Sequence, residues 1–416
     1  MKFKILLSAY ACEPNKGSEP AVGWNWALEI SKMGHEVWVI TRLNNKKTID
    51  AYPSIPHNLH FIYYDLPSKI LKFKKYFGTR IYYFLWQINI SNLAKKLHNT
   101  YNFDLVHHIT FVTLRFPSFL YKIEAPFIFG PVAGGEEPTL KLINSLPLRY
   151  KVYEYIRLLS NRSLKINPFS NSALESSKVI FCATEDTKNV LSEKFKYKSF
   201  VNSAIGISNT PRHCPTLKSI KNVDVFHLLY VGQIIPLKGI HILLKSIAFL
   251  KNEGINVHLT IIGRGNYQIH LQKLSQLLNI DNQIEWVKWL PQEELHEYYK
   301  KGHLLVFPSF HDSGGFVILE AFSNGMPALC LDIGGPNQIV NSSCGIKIST
   351  KNTSIEQIII GFADSIKLLK NDELLLTSLS QGAINRAHEF SWSKIVNSAY
   401  DVIDSKLKNN EHSYFA

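Results

Sequence analysis

The sequence has few cysteines, no metal-ligand spacing and no long apolar run. No apolar stretch reaches the roughly 18 residues that a transmembrane helix needs, which excludes a chain built from membrane spans. The five cysteines stand far apart without a Cys-x-x-Cys pair, so neither a disulfide framework nor a zinc site is expected. We expect buried thiols in a reducing cytoplasm. Short-period repeats and low-complexity tracts are also missing, which excludes a solenoid.

Acidic residues are scarce in the first half of the chain. Residues 1–210 contain 27 lysines and arginines against 15 acids, whereas residues 211–416 contain 19 against 18, so the first half carries nearly all of the net charge of +13. This imbalance favours an anionic partner, namely acidic phospholipid, a lipid-phosphate-linked acceptor or nucleic acid. A basic surface that serves solubility alone is the alternative. Because no recognised nucleic-acid module is present, we expect no nucleic-acid partner.

The composition is that of a globular protein large enough for two domains. The 416 residues are 45% hydrophobic and 19% charged. The N-terminal run MKFKILLSAYAC superficially resembles a secretory leader, with two lysines before an apolar stretch. Because that stretch is short and leads into a polar loop and an amphipathic helix, we interpret it as a first buried strand.

Short apolar runs rich in β-branched residues alternate with helix-length amphipathic stretches, which predicts βαβ units on parallel sheets. The strands expected in the first half are Ile5–Ala9, Glu36–Thr41, Leu59–Tyr64, Leu105–His108, Phe127–Phe129 and Val179–Cys182. Those expected in the second half are Val225–Val231, Val257–Ile262, Ile284–Val287, Leu304–Phe307, Ala328–Leu331 and Gly345–Ile348. The polar, turn-rich stretch Ser203–Asp224 separates the two series. We therefore predict an α/β fold of two tandem Rossmann-like, doubly wound domains.

The stretch FPSFHDSGGFVILEAFSNGMPALCLDIGGP, residues 307–336, contains a turn and a helix start that suit a phosphate. A strand ends in a turn with Gly314 and Gly315, and a helix begins near Phe316. The glycines let the backbone approach a ligand closely. The main-chain N–H groups of Gly315, Phe316 and Val317, together with the helix dipole, then favour an anion.

Two acids flank this turn and address different parts of a bound nucleotide. Glu320 lies one turn into the helix, where its carboxylate can accept hydrogen bonds from two vicinal ribose hydroxyls. Asp312 lies on the loop side and faces the other end of the ligand. A second glycine turn, 334–336, follows the next strand and should border the same pocket.

The stretch YVGQIIPLKGIHILLKSI, residues 230–247, repeats the order strand, turn and helix. Gly232 and Gln233 open the turn, and Lys238 closes it as a point charge for phosphate. Arg264, in the turn IIGRGNY after the next strand, is a second candidate cation.

Together, these two stretches resemble the donor-binding signature of family 4 (group 1) retaining glycosyltransferases. The family motif of Glu, seven residues, Glu, then Ala-x-x-x-Gly-x-Pro stands here as Asp312, Glu320, Ala321, Gly325 and Pro327. The family also has Gly-Arg, four residues and Lys-Gly, and this chain has Gln233 at the arginine. The resemblance implies the GT-B fold, in which two Rossmann-like domains face each other across a cleft that holds a nucleotide-sugar donor.

The resemblance also implies a role for each matched residue. Glu320 binds the nucleotide ribose, and Asp312, one methylene shorter than the family's glutamate, lies beside the donor sugar. Lys238 neutralises the donor diphosphate in binding and in catalysis. The departing phosphate takes the acceptor proton on the same face, so anomeric configuration is retained without an enzyme nucleophile. Because no Asp-x-Asp pair is present, we expect metal-independent catalysis and no cofactor.

The first half resembles the same family more loosely. The loop CEPNKGSEPAVGW, with Gly17 and Ser18 at its turn, resembles the loop that faces the donor phosphates. The strand in FDLVHHITF ends at His107 and His108. Family members have one pocket histidine near the donor sugar just beyond this strand, and we favour His108 over His107 for that role.

A further glycine loop and the C-terminus complete the resemblance. GPVAGGEEP brings Gly135 and Glu136 to the expected edge of the cleft. The stretch HEFSWSKIVNSAYDVI resembles the helix that crosses back to the first domain in this fold. We therefore expect an acceptor-side domain over 1–205, a donor-binding domain over 206–390, and the crossing helix in 391–416.

The expected function is transfer of a sugar from a nucleotide-diphosphate sugar to an acceptor, with polysaccharide or O-antigen assembly as a setting by analogy. A nucleotide-sugar 2-epimerase of the same fold would instead convert the donor alone. A catalytically silent nucleotide-sugar binding protein is the third alternative. The basic, aromatic-rich run KILKFKKYFGTRIYYFLW, residues 69–86, fits either an anionic membrane face or a solvated helix with a buried aromatic side. We therefore expect a cytoplasmic protein, with peripheral membrane attachment as a hypothesis.

Overall fold

The computed structural model describes residues 2–163, 168–208, 217–220 and 224–411. Within these ranges it describes the backbone alone for residues 69, 71–77, 163, 168–170 and 409–411. The chain divides into two compact units, which are Met1–Gly135 with Leu159–Gly206 and Trp392–Ala416 (unit 1), and Glu136–Leu158 with Ile207–Ser391 (unit 2). The segment Glu136–Leu158 therefore groups with unit 2, although the expected boundary assigned it to the first domain.

Unit 1 contains a parallel, doubly wound sheet. Its strands are β1 (Lys4–Ala9), β2 (Glu36–Thr41), β3 (Leu59–Tyr63), β4 (Leu105–Thr110), β5 (Phe127–Val132), β6 (Ser177–Cys182) and β7 (Ser199–Val201). In the described part of the chain they lie in the order β3-β2-β1-β4-β5-β6-β7, and each neighbouring pair is parallel. Every residue of β4 is buried, as expected for a central strand with both faces covered.

Unit 2 repeats this architecture. Its strands are β8 (Phe226–Val231), β9 (Val257–Ile262), β10 (Ile284–Val287), β11 (Leu304–Phe307), β12 (Ala328–Leu331) and β13 (Gly345–Ile348). Their order among the described residues is β10-β9-β8-β11-β12-β13, again with parallel pairs throughout. The order reverses between β8 and β11, which is the edge where open α/β sheets bind ligands. The predicted class of two doubly wound α/β domains is confirmed.

Helices connect these strands. In chain order they are α1 (Ser18–Lys32), α2 (Lys46–Asp50), α3 (Ser68–Tyr101), α4 (Leu140–Asn144), α5 (Leu148–Ser163), α6 (Pro168–Ser176), α7 (Glu185–Asn189), α8 (Glu193–Lys196), α9 (Ile240–Asn252), α10 (Gln268–Leu277), α11 (Gln292–Lys301), α12 (Phe316–Ser323), α13 (Gly334–Ile339), α14 (Ile355–Asn371), α15 (Glu373–Glu389) and α16 (Trp392–Glu411). The last helix, α16, packs on α1 and β6 within unit 1. No described helix combines the length and the apolar character that crossing a membrane requires.

The thiols that the structure describes are all buried. Cys12 and Cys182 lie in unit 1, and Cys330 and Cys344 lie in unit 2. Burial raises the pKa of the Cys12, Cys330 and Cys344 thiols, so these groups stay protonated and weakly nucleophilic. Cys214 falls outside the described residues.

Gly239 opens α9 in a conformation and a space that only glycine fits. Its φ is +69°, and an added Cβ would lie 2.0 Å from the carbonyl oxygen of Pro308. Gly254 has a similar φ of +74°, but a Cβ there would meet nothing within 4 Å. The two positions therefore separate left-handed backbone strain from steric overlap.

We expect Gly239→Ala to lower the free energy of unfolding by about 3 kcal/mol or more, because backbone strain adds to the clash with Pro308. Gly254→Ala is the matched control and should cost only about 1 kcal/mol, from the left-handed φ alone. Urea unfolding followed by circular dichroism measures both values. Equal losses in the two variants would contradict the tight contact between Gly239 and Pro308.

Candidate functional site

Three loops of unit 2 meet where β8, β11 and β12 end. Since these strands are parallel neighbours, their carboxyl ends share one edge of the sheet. The Gly335 N–H donates to the carbonyl oxygen of Asp312 at 2.9 Å. The Phe310 N–H likewise donates to the carbonyl oxygen of Leu237 at 2.9 Å, so the loop after β11 is tied to both of its neighbours.

Lys238 and Asp312 form an ion pair at this edge. The Lys238 Nζ lies 2.6 Å from Asp312 Oδ2 and also donates to the carbonyl oxygen of His311 at 3.4 Å. The ammonium lies 5.4 Å from the centre of the Phe307 ring, within the range of a cation–π contact. The two stretches that the sequence singled out, around residues 238 and 312, are thus in direct contact.

The environment of Asp312 favours its ionised form. Burial acts to raise the pKa of this carboxyl, but the Lys238 ammonium and the hydrogen bond from Lys238 outweigh it, and the net pKa is lowered. The Gly314 N–H contributes as well, because it donates to Asp312 Oδ1 at 3.0 Å. The site therefore holds a carboxylate that is neutralised by one lysine.

The start of α12 lies directly after this turn. Gly315 precedes the helix with a φ of +92°, which glycine adopts without strain. The main-chain N–H groups of Phe316 and Val317 belong to the first turn, where a helix offers no acceptor of its own. Asp312, which pairs with Lys238, lies only four residues before Phe316. The Lys238 ammonium and the start of α12 therefore lie at the same edge of the sheet.

Glu320 is held by two side chains of α11. Its Oε1 accepts from the Gln292 amide at 3.1 Å, and its Oε2 accepts from the Tyr299 hydroxyl at 2.9 Å. Gln292 and Tyr299 are seven residues apart, so they lie on the same side of α11. Burial raises the pKa of Glu320, whereas these two hydrogen bonds act in the opposite direction.

A lysine outside the site fixes the end of α11. The buried Lys218 Nζ donates to the carbonyl oxygens of Tyr299 and Lys300, both at 2.7 Å. These carbonyls belong to the last turn, where the helix supplies no N–H donors of its own, so the ammonium caps the helix end. Burial lowers the pKa of Lys218 to about 8. Lys218 thus anchors the turn from which Tyr299 reaches Glu320.

Gln233, which stands where the family has arginine, and the candidate cation Arg264 are both exposed. Gln233 is exposed, and its carbonyl oxygen accepts from the Tyr230 hydroxyl at 2.9 Å. The Arg264 guanidinium lies 5.8 Å from the Trp289 ring, also at the surface. Among the described contacts, none joins Arg264 to the Lys238–Asp312 pair. A phosphate-binding role for Arg264 therefore stays a prediction.

In unit 1, the predicted loop residues Gly17 and Ser18 lie at the start of α1. Both are exposed, and Ser18 has a left-handed φ of 59°. Glu19, the next residue, accepts from the Val112 N–H at 2.8 Å, and burial raises its pKa. This contact ties the loop after β1 to the segment after β4.

His107 and His108 lie within β4, and the strand continues to Thr110, so the expectation that they end the strand is wrong. Both side chains are fully buried. His107 Nε2 donates to the Gly130 carbonyl oxygen at 2.7 Å, and its Nδ1 accepts from the Tyr400 hydroxyl at 3.2 Å. Burial lowers the pKa of His107 to about 3, so its ring is neutral.

His108 has a less complete set of contacts. Its Nε2 lies 3.4 Å from the Phe111 carbonyl oxygen, while Nδ1 has no hydrogen-bond partner among the described residues. Burial lowers its pKa to about 4. The catalytic role favoured for His108 is not tested by these contacts and stays a prediction.

Gly135 and Glu136 are consecutive in the chain but belong to different units. The Gly135 N–H donates to Thr187 Oγ1 at 3.3 Å in unit 1. Glu136 belongs to unit 2, where its Oε2 lies 3.5 Å from His311 Nε2 and its side chain is fully buried. The sequence did not single out His311, although it immediately precedes Asp312.

The arrangement in unit 2 can bind an anion and a polyol side by side. Lys238 and the α12 start supply positive charge, and Glu320 supplies a carboxylate one turn further along the helix. In the described part of the chain, no cluster of three or more histidine, cysteine or acidic residues could hold a metal ion. Metal-independent catalysis remains an expectation.

A family model matches this part of the chain. Residues 218–386 match Glycosyl transferases group 1, a range that contains Lys238, Asp312 and Glu320. D-inositol 3-phosphate glycosyltransferase of Pseudarthrobacter chlorophenolicus is 29% identical over 174 residues, covering 41% of this chain and 40% of its own. The enzyme of the same name from Streptomyces bingchenggensis is 30% identical over 195 residues, covering 44% and 42%. The chain thus spans about two fifths of the length of the curated relatives it matches.

Solved structures match over nearly the whole chain. A glycosyltransferase from Rickettsia africae has a TM-score of 0.66 at 16% identity, covering 98% of this chain and 99% of its own. Sucrose-phosphate synthase from Thermosynechococcus elongatus has a TM-score of 0.65 at 15% identity, with the same coverage. Anabaena HepE in complex with UDP-glucose has a TM-score of 0.58 at 14% identity, covering 97% of this chain and 100% of its own. At these identities the matches show the fold, which is the GT-B fold of glycosyltransferases.

Proposed function

We propose that the protein is a retaining glycosyltransferase that uses a nucleotide-diphosphate sugar and that unit 2 binds this donor. The observation that carries the proposal is the Lys238–Asp312 pair just before the start of α12, with Glu320 about one turn into that helix. The family match over residues 218–386 supports it, because the match contains all three residues.

The donor phosphates fit the positive end of this arrangement. Lys238 and the N–H groups of Phe316 and Val317 would stabilise the diphosphate as negative charge develops on it. Groups that are already in place for a developing charge supply a large share of catalysis in such sites. The diphosphate of the donor would also compete with Asp312 for Lys238, so the carboxylate of Asp312 becomes available to the sugar hydroxyls.

The transfer step needs no protein nucleophile. The bond between the anomeric carbon and the diphosphate oxygen breaks, and the acceptor oxygen bonds to the same carbon on the same face. The acceptor hydroxyl gives its proton to the departing phosphate oxygen. In this step Lys238 holds the leaving group, Asp312 orients the sugar and Glu320 holds the ribose.

The acceptor is proposed to be a saccharide or a lipid-linked saccharide. The basic balance of residues 1–210 supports an acceptor that carries phosphate or lies on an anionic surface. The relatives named for D-inositol 3-phosphate act, by their names, with a phosphorylated polyol. Polysaccharide assembly at the inner face of the cytoplasmic membrane fits this acceptor class.

A thermal-shift screen with UDP-, GDP-, ADP- and CDP-sugars tests the donor site. One nucleotide sugar should raise the melting temperature, by roughly 2–4 °C when its concentration is about 100 times its dissociation constant. The same compound should shift Glu320→Ala by less than about 1 °C. No shift with any nucleotide sugar would overturn the proposal, product formed from the donor alone would indicate an epimerase, and binding without turnover would indicate a silent binding protein.

A further inference from the structure

Helix α5 presents an apolar face to solvent. Leu148, Val152, Ile156 and Leu159 are 75%, 49%, 59% and 63% exposed, respectively. Their spacing of four, four and three residues places them along one side of the helix. Large apolar residues that are exposed singly are ordinary, but a continuous stripe on one helix marks an interaction surface.

The opposite face of α5 is buried and polar. Glu154 and Arg157 form an ion pair at 2.8 Å, and both side chains are almost completely buried. Asn161, one turn further along, is buried as well. A surface helix of a globular protein normally buries its apolar side and exposes its polar side, and α5 does the reverse.

The accessible charges of α5 are positive. Arg149 and Arg162 are exposed, and Lys151 is half-buried. On a helical wheel with 100° per residue, Arg149 lies on one side of the apolar stripe, whereas Lys151 and Arg162 lie on the other. The acid of this helix, Glu154, is already neutralised by Arg157. The stripe is therefore bordered by cations on both sides.

We propose that α5 is a membrane-contact helix that lies on an anionic lipid surface. An apolar stripe bordered by basic residues matches the boundary between acyl chains and acidic headgroups. Two copies of this chain that met through α5 would bring their cations together, so the charge pattern favours lipid over self-association. Tyr155, beside the stripe and 39% exposed, is a residue type that suits the headgroup level.

This surface is distinct from the basic run over residues 69–86, where the side chains of 69 and 71–77 fall outside the description. It goes beyond the proposed transfer reaction and does not depend on it, because vesicle binding requires neither donor nor acceptor. If both hold, α5 would bring the enzyme to lipid-linked acceptors.

Co-sedimentation of the full chain with vesicles tests the proposal. The vesicles are phosphatidylcholine alone or phosphatidylcholine mixed with phosphatidylglycerol. We expect the protein to bind the mixed vesicles, and the variant Arg149→Gln/Lys151→Gln/Arg162→Gln to bind on the order of a hundredfold more weakly, at roughly fivefold per cation. The variant Leu148→Gln/Val152→Gln/Ile156→Gln should bind the mixed vesicles at least about tenfold more weakly than wild type.

A matched variant controls for the loss of exposed apolar side chains. Ile269, Leu277 and Leu374 are on average more exposed than the three α5 residues but lie on α10 and α15, so their replacement with Gln should leave vesicle binding unchanged. Wild-type protein that ignores the mixed vesicles would overturn the proposal. Binding that Lys72→Glu/Lys74→Glu/Lys75→Glu abolishes while both α5 variants keep it would also overturn it, as would a dimer that the apolar α5 variant converts to a monomer.

Melting-temperature shifts with the nucleotide sugar separate this proposal from the donor site. The α5 variants should keep the wild-type shift, which also verifies that they fold. Vesicle binding without any nucleotide-sugar shift would leave α5 as a membrane helix and remove only the proposed enzyme function.

Discussion

Lys238→Met should lower the turnover of nucleotide sugar by about 10²–10³-fold, with a much smaller change in the acceptor KM. The loss is large because the ammonium is paired with Asp312, in the turn just before α12, and would act mainly on the leaving diphosphate, whose charge develops during the reaction. Steady-state kinetics with the donor found in the thermal-shift screen measure both parameters. Turnover within a factor of three of wild type would show that the diphosphate is stabilised elsewhere.

The same substitution should also destabilise unit 2. Removing the ammonium leaves the Asp312 carboxylate without its counter-ion, which should cost about 2 kcal/mol of unfolding free energy, since the side chain keeps some contact with solvent. The double variant Lys238→Met/Asp312→Asn should regain most of this stability but not the turnover. Recovery of both would mean that Lys238 acts only through the fold.

The Lys238–Asp312 ion pair also predicts how the stability of the folded protein changes with pH. Because the folded-state pKa of Asp312 is lowered, its ionised form stabilises the native protein above the unfolded pKa of about 3.8. That contribution is lost as the pH falls below this value and through the folded pKa. Lys238→Met should therefore show a smaller loss of stability on acidification than wild type.

Glu320→Ala should weaken donor binding on the order of a hundredfold. A carboxylate that accepts from two ribose hydroxyls makes two charge-assisted hydrogen bonds, and both are lost. Isothermal titration with the nucleoside diphosphate measures the change without requiring turnover. Tyr299→Phe removes one hydrogen bond to the same carboxylate and should weaken binding only about fivefold. Equal affinities in wild type and Glu320→Ala would remove Glu320 from the site.

The pH dependence of donor affinity tests whether Tyr299 stabilises the ionised form of Glu320 or only packs against it. Burial raises the pKa of Glu320, so its carboxylate becomes protonated at a higher pH than an exposed glutamate, and affinity should fall as the pH drops through that raised pKa. In Tyr299→Phe the ionised form loses a donor, so the midpoint of this fall should move to higher pH. An unchanged midpoint would mean that Tyr299 only packs against the site. Stability follows the opposite sign, since the raised pKa favours the native state below pH 4.5 and the gain is lost as the pH rises.

Local sequence was sufficient for most strands of the two sheets. The predicted bounds of β9, β10, β11, β12 and β13 agree with the structure, because each is a short run containing apolar residues that is bounded by turn or loop segments. β7, at Ser199–Val201, was not predicted, since three residues give no periodicity to detect. β4 extends two residues beyond the predicted end at His108, because Ile109 and Thr110 continue the buried run.

The side chains that support the site could not be predicted from local sequence. Gln292 and Tyr299 reach Glu320 from a helix more than twenty residues earlier, and no motif marks them. Glu136 and His311 are separated by far more chain than any local pattern spans. Pairs of this kind depend on the order of the strands and the lengths of their connections, which become visible only in the folded chain.

The orientation of α5, with its apolar side exposed, could not be predicted from sequence for a different reason. Its apolar spacing reads as an ordinary amphipathic helix, and periodicity alone does not distinguish the buried side from the exposed side. Because Glu154 and Arg157 are charged, sequence alone would have placed their side of α5 in solvent, whereas the structure buries it. Only the structure settles which side faces solvent.

The glycine loop after β12 limits how the proposed donor site can be altered. An added Cβ at Gly334 would lie 2.3 Å from the Asp312 carbonyl oxygen, and one at Gly335 would lie 2.3 Å from that of Gly314. The two loops therefore touch through their main chains and leave no room for side-chain variation there. If unit 2 binds the proposed donor, engineering toward another sugar or base would act through peripheral positions such as Gln233 and Gln292, while the main-chain frame proposed to hold the phosphates stays constant.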